Sequence, residues 1–196
     1  MSQPTPRPVV DLTDPRALRA LAHPLRLALV GLLRREGPLT ATRAGQILGE
    51  SSASCSFHLR QLAKYGLVEE AGGGTGRQRP WQATARATRW PSLPASPDTQ
   101  AATDALAAVI ADFYRTAMLS WIGRRGEESA EWREAVPFGD TDVLLTAAEL
   151  AELSARVDAL VAEYRADARA KTRAPDARRV MYLNVAIPVD EPSARS

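Results

Sequence analysis

One cysteine, Cys55, and two histidines, His23 and His58, are all that the 196-residue chain offers of the residues that build disulfides and most metal centres. A lone cysteine excludes an internal disulfide and fits a reducing, cytoplasmic setting. It is also a poor start for structural zinc, which usually takes about 2–4 cysteines. No charged-then-apolar leader opens the sequence, and no apolar run approaches about 18 residues, so neither export nor membrane spanning is expected. Enzyme signatures are missing as well: there is no Gly-rich phosphate loop, no G-x-S-x-G and no H-E-x-x-H. The cysteine and both histidines lie in the first third of the chain, so a catalytic site in the second half would have to work with carboxylates alone. No catalytic residue, metal ligand set or cofactor is expected.

What the chain does have is enough apolar sequence, 45%, to bury a core in one large domain or two small ones. It also has a charge asymmetry that the net charge of +2 hides. Residues 1–90 carry 13 Lys/Arg against 6 Asp/Glu, a net of +7, and residues 91–196 carry 12 against 17, a net of −5. A basic first half points to a polyanion partner, and an acidic second half should keep off it.

The first half reads as a succession of short helices. Asp14-Pro15 is a capping acid followed by proline at the first helical position, and Leu18, Leu21 and Ala22 repeat at helical spacing. Pro24 interrupts, so a second helix starts after His23 and ends at Gly37-Pro38, with Arg26, Arg34, Arg35 and Glu36 expected to face out. Thr40 and Thr42 can cap a short helix through Leu48, which Gly49 ends. From Ser51 to Tyr65, Cys55, Leu59 and Leu62 fall on one helical face, while Ala53, Ser54, Phe57, Arg60, Gln61 and Lys64 fall opposite. Two strands, Leu67–Ala71 and Arg79–Ala83, flank a glycine-rich tip, which is hairpin patterning.

This order is the plan of a winged helix-turn-helix. The DNA major groove admits one α-helix and displays edges that distinguish all four base pairs. A reading helix must bury one face and offer short polar or donor side chains on the other, and Ser51–Tyr65 does both. The helix before it braces it across the backbone. The hairpin can lay Arg77 and Arg79 on phosphates or in the minor groove.

At three strings the sequence resembles the ArsR-type (arsenic-repressor-like) regulators: Leu21-Ala22-His23-Pro24-Leu25-Arg26-Leu27, Ser56-Phe57-His58-Leu59-Arg60-Gln61-Leu62 and Gly66-Leu67-Val68. The resemblance spans about Pro15 to Ala83. It implies that Ser51–Tyr65 is the recognition helix and that the protein acts as a homodimer on a roughly palindromic stretch of double-stranded DNA. It also implies a transcriptional repressor, cytoplasmic like its target. The short helix before the reading helix lacks the cysteine of the family's metal-sensing branch, which places the chain in the non-metal-sensing branch. Cys55 and His58 form a C-x-x-H pair, but two ligands are too few, and Cys55 sits in the apolar stripe.

Candidate DNA contacts are Ser51, Ser52, Ser54, Ser56, Phe57, His58, Arg60, Gln61, Lys64, Arg77 and Arg79. Phe57 is unusual on an open face and can meet a thymine methyl. Trp81 is expected to pack the wing onto the helices, and His23-Pro24 to punctuate a helix.

The second half is harder to read. After a Pro/Ser-rich linker, Pro91–Pro97, a long helix is expected over Asp98–Ile122. Its apolar stripe includes Leu106, Val109, Ile110, Phe113, Ala117 and Trp121, a dimerisation face or a core. Gly123–Gly139 reads as polar and irregular. A strand at Val143–Leu145, a helix from Thr146 through Tyr164 and a strand at Val180–Ile187 suggest a small α/β unit docked on the long helix. Its aromatic residues are core or the wall of a pocket for a small-molecule effector, with no ligand named.

The expected fold class is mainly α with a small β content (α+β). A DNA-binding domain covers 10–90, a dimerisation or effector region covers 98–190, and the tails are 1–9 and 191–196. The competing reading is a winged-helix protein-interaction module without an operator, against which the basic first half and the wing arginines stand.

Overall fold

The computed structural model describes residues 8–72, 79–170 and 176–189. The chain forms two compact units, Met1–Arg125 and Gly126–Ser196. The first opens on a short strand β1 (Val9–Asp11), then α1 (Pro15–Leu21), α2 (Pro24–Glu36), α3 (Ala41–Leu48) and α4 (Ser52–Lys64). Strands β2 (Val68–Glu70), β3 (Trp81–Ala83) and β4 (Ala87–Arg89) follow, then the long helix α5 (Pro97–Arg124), and a 3-10 turn at Arg125–Glu127 spans the boundary to the second unit.

Side-chain caps start the helices where the sequence places them. Asp14 accepts from the Arg16 amide at 2.8 Å, Thr40 from Arg43 at 3.2 Å, and Ser51 from Ser54 at 3.0 Å. Each satisfies an amide that the first helical turn leaves unpaired. His23 does the same for α2, its Nδ1 accepting from the Leu25 amide at 3.2 Å. Leu18, Leu29, Leu32, Leu33, Cys55, Leu59, Leu62, Val68 and Ala83 make one continuous core, closed on another side by Ala102 and Leu106 of α5.

Strands β2 and β3 pair antiparallel, Val68 opposite Ala83 and Glu70 opposite Trp81. Leu39 adds an antiparallel bridge to Trp81, closed by two backbone hydrogen bonds of 2.9 and 2.8 Å. Trp81 is half-buried against the core, as its place in the hairpin predicted. The tip, residues 73–78, with Arg77, lies outside the described residues.

The structure differs from the sequence reading in several places. Val9, expected in a loose tail, belongs to β1, which pairs in parallel with β4. Arg34, expected to face out, turns inward: its Nε donates to the Ala85 carbonyl at 3.0 Å and its Nη2 to Thr88 Oγ1 at 2.5 Å. It thereby anchors the start of β4 to α2. The helix after the linker joins the first unit rather than starting the second, because Thr99, Ala102, Thr103 and Leu106 are buried. That helix, continued to Glu127, is also long and apolar enough by length and composition to cross a membrane, contrary to the expectation of no such stretch. Asp112 and Arg115, ion-paired with each other at 2.8 Å, interrupt its apolar run without lowering its mean hydropathy below that mark.

The second unit holds α6 (Ala130–Ala135) and α7 (Ala147–Ala170). Helix α6 lies in the stretch expected to be irregular, capped by Ser129 Oγ accepting from the Trp132 amide at 3.4 Å. Thr146 and Glu149 form a reciprocal capping box at the start of α7, each side chain accepting from the other's amide. Arg178 donates to Glu128 at 2.6 and 3.0 Å and lies over the Trp132 ring at 4.7 Å. Neither expected strand forms. Residues 143–145 and 180–187 are irregular, with Leu144 97% exposed and Ile187 72% exposed, so the small α/β unit is not there. A β-branched run becomes a strand only against a partner edge, and no strand occurs among the described residues of this unit.

Candidate nucleic-acid interface

Helix α4 divides into three strips. Cys55, Leu59 and Leu62 are fully buried and hold it to the core. Ser52, Ala53, Phe57, Arg60 and Lys64 form an exposed strip down its outer side. Ser54, His58, Gln61 and Tyr65 run along one flank and are half-buried. Ser56 is also half-buried, and Ser51 serves as the cap.

The structure therefore brings together Ser52, Phe57, Arg60 and Lys64 of the predicted contacts. It sets Ser54, His58 and Gln61 aside, each lining a cleft between helices. Phe57 meets the His58 ring edge-on at 5.1 Å but remains 52% exposed, which is costly in water and leaves apolar surface for a further contact. Arg79 is exposed beside β3 but donates to Glu70 at 2.8 Å, so its charge is locally matched and its pKa raised by that carboxylate.

The turn between α3 and α4 fixes how this strip is presented. Gly49 sits at φ 70°, the left-handed region in which a side chain is strained. The Glu50 amide then donates back to the Gly45 carbonyl at 2.9 Å, and Thr42 Oγ1 and Ser52 Oγ lie 3.1 Å apart across the turn. Gly45 itself faces the incoming chain so closely that a β-carbon would lie 2.6 Å from the Glu50 carbonyl oxygen.

Sequence reasoning missed a histidine pair. The rings of His23 and His58 lie 4.5 Å apart, and His58 Nδ1 is buried without a hydrogen-bond partner among the described residues. They line a groove of about 460 Å³ between α2, the start of α4 and α5, together with Leu25, Glu50, Asp112 and Phe113. Burial is the first cause lowering both histidine pKa values; His23 and then Arg26 press further on His58, and Arg26 on His23, while Glu50 opposes. The folded protein thus binds protons less readily here than the unfolded chain. Stability is full above the ordinary imidazole value of 6.5 and falls as pH drops below it. Melts from pH 7.5 down to about 5 should show this decline. In His58→Gln the slope should be shallower; an unchanged slope would assign it to other groups.

The predicted dimerisation residues separate as well. Leu106 is fully buried in the unit's own core, and Ile110 packs against that core. Val109 and Phe113 line the groove. Ala117 and Trp121 are half-buried, Trp121 with the Arg124 guanidinium 5.1 Å over its ring. Met118, Leu119 and Ile122, further along α5, are exposed. Cys55 belongs to the core, and burial pushes its thiol pKa up.

Comparison with known proteins comes down to one match and a set of weak likenesses. A family profile described as "Helix-turn-helix domain" matches residues 21–71, about a quarter of the chain, from the last residue of α1 through β2. No curated protein matches the chain. Among solved structures, ZitR of Lactococcus lactis is 14% identical over 71% of this chain and 73% of its own, with a TM-score of 0.32. A MarR family regulator from Neisseria meningitidis is 17% identical over 75% and 80%, with a TM-score of 0.32. A MarR family protein from Mycobacterium tuberculosis, solved with salicylic acid, is 16% identical over 76% and 87%, with a TM-score of 0.29. Likenesses this weak carry no argument about function, and none of these matches singles out the ArsR type. The first unit is an α+β winged helix-turn-helix, with its helix-turn-helix at the residues the family profile covers.

Proposed function

We propose that the chain is a sequence-specific DNA-binding transcription regulator, acting as a homodimeric repressor on an inverted-repeat operator in the cytoplasm. The observation that carries this reading is the outer strip of α4. Its donors Ser52, Arg60 and Lys64 and the half-exposed ring of Phe57 stand clear of the core on a helix otherwise locked by Cys55, Leu59 and Leu62. The excess of basic residues in 1–90 supports it, as does the resemblance to ArsR-type regulators.

A second copy is assigned to the distal half of α5, where Met118, Leu119 and Ile122 are exposed on one helix. Two reading helices related by a two-fold axis would then meet half-sites about one DNA turn apart. The groove beside His23 and His58 is the place proposed for a small-molecule effector. Its wall includes Ser54 and His58 of α4 and Phe113 of α5, so an occupant would couple the reading helix to the dimer helix.

The test is capture of genomic DNA fragments by the purified protein near physiological salt. A few fragments sharing an inverted repeat are the expected yield. Arg60→Ala should weaken specific binding by about 1–3 kcal/mol, roughly 5- to 150-fold, and relax preference at one position of each half-site. Unchanged affinity and preference in Arg60→Ala would remove α4 from the role of reader. Random or absent DNA, together with a stable protein partner in a pull-down, would favour a protein-interaction module instead.

A further inference from the structure

A second cleft, of about 260 Å³, lies between α1, α2 and the C-terminal half of α4, lined by Arg16, Arg19, Ala20, Arg26, Gln61 and Tyr65. Three arginines thus line one small space. Arg19 is spoken for: it forms an ion pair with Asp98 at the start of α5 and also donates to the Asp98 carbonyl at 3.3 Å. Asp98 also feels the charge of Arg16, whose own side chain makes no hydrogen bond among the described residues.

Arg26 is the anomaly. Its Nε is buried and has no acceptor among the described residues. A guanidinium does not shed its proton at ordinary pH, so this donor cannot escape the cost of its burial by becoming neutral. A buried donor left without an acceptor is a cost that the fold carries. Burial does push the Arg26 pKa down, and only the Tyr65 hydroxyl works against that. Asp98, the carboxylate that Arg16 and Arg19 share, is already held by Arg19. The rest of this half-buried side chain can meet an acceptor from outside, and a planar guanidinium fork fits a phosphate or a carboxylate.

We propose that this cleft is an oxyanion site, in which Arg26 and Arg16 hold a phosphate or carboxylate group and the Gln61 amide adds a neutral donor. Gln61 and Tyr65 belong to the reading helix, and Arg16 and Arg26 to the two helices behind it, so the occupant ties α4 to its support. One ligand chemistry has two sources here: a backbone phosphate of DNA flanking the groove that α4 enters, or a free small oxyanion. The site does not rest on operator binding; only the first source does.

The experiment uses the full chain and the arginine Nε–Hε signals of its proton–nitrogen spectrum. Inorganic phosphate is titrated against chloride at constant ionic strength. The signal that disappears in Arg26→Lys should shift saturably with phosphate and not with chloride. Arg26→Lys keeps the charge but loses the fork, and should raise the phosphate dissociation constant about tenfold. Arg16→Ala, at an exposed position, should weaken binding several-fold and keeps the test open if Arg26→Lys fails to fold. A short DNA duplex is then added. Displacement of phosphate from the Arg26 signal identifies a backbone phosphate as the occupant, and undisturbed phosphate binding identifies a free oxyanion. Absence of a saturable shift with both phosphate and duplex overturns the proposal.

Discussion

Leu106→Ala is expected to destabilise the first unit by about 2–5 kcal/mol, with a loss that does not depend on protein concentration. The side chain is fully buried in the continuous core, beside Ala102 of the same helix. Truncation removes the transfer energy of its methyl and methylene groups and leaves a cavity that well-packed neighbours do not refill. A residue serving a dimer interface behaves differently: its loss grows on dilution, because folding and association are then linked. Chemical denaturation at two protein concentrations about 50-fold apart separates the cases. Equal midpoint shifts place Leu106 in the unit's own core, and a larger shift in the dilute sample would return it to the interface that its apolar spacing first suggested.

That ambiguity marks what the sequence could and could not reveal. Helix starts were readable because caps act locally: Asp14, Thr40 and Ser51 each bond an amide two or three residues away. The buried side of α4 was readable because Cys55, Leu59 and Leu62 repeat at helical spacing. What an apolar stripe faces is not a local property. Leu106, Val109, Ile110 and Phe113 meet the core or the groove, while Met118, Leu119 and Ile122 remain open.

The same limit produced the false strands. Val180 to Ile187 has the apolar, partly β-branched composition of a strand, but pairing depends on an edge elsewhere in the chain. Arginines misled for the opposite reason. Charge placed Arg26 and Arg34 on the outside, whereas long side chains can bury their stems and carry the head to a distant acceptor. For Arg34 that acceptor is more than fifty residues along the chain.

Gly45→Ala is expected to do the most damage to the proposed reading function for the smallest change in mass. In the middle of an exposed helix, alanine for glycine would stabilise by about 0.5–1 kcal/mol, since glycine loses more backbone freedom on folding. Here the added carbon would lie 2.6 Å from the backbone oxygen of Glu50 and 3.4 Å from Ser51 and Ser52 backbone atoms. A backbone carbonyl cannot rotate away as a flexible side-chain tip can. The chain entering α4 would have to move outward, breaking the 2.9 Å bond from the Glu50 amide to the Gly45 carbonyl. Overpacking of this kind typically costs about 1–3 kcal/mol, more than the helical gain, so the net sign is destabilising. The larger consequence is geometric, because this turn sets how the chain enters α4, and a small change in crossing angle displaces Arg60 and Lys64 at its far end. Thermal melts should show a lowered midpoint, and specific duplex affinity should fall further than the melts account for. Gly123→Ala, on the exposed side of α5 where an added β-carbon meets nothing within 4 Å, is the matched control and should leave affinity unchanged while raising the melting midpoint slightly. A Gly45→Ala protein with full stability and full affinity would mean that the turn tolerates a wider approach, and that α4 is positioned by its buried face alone.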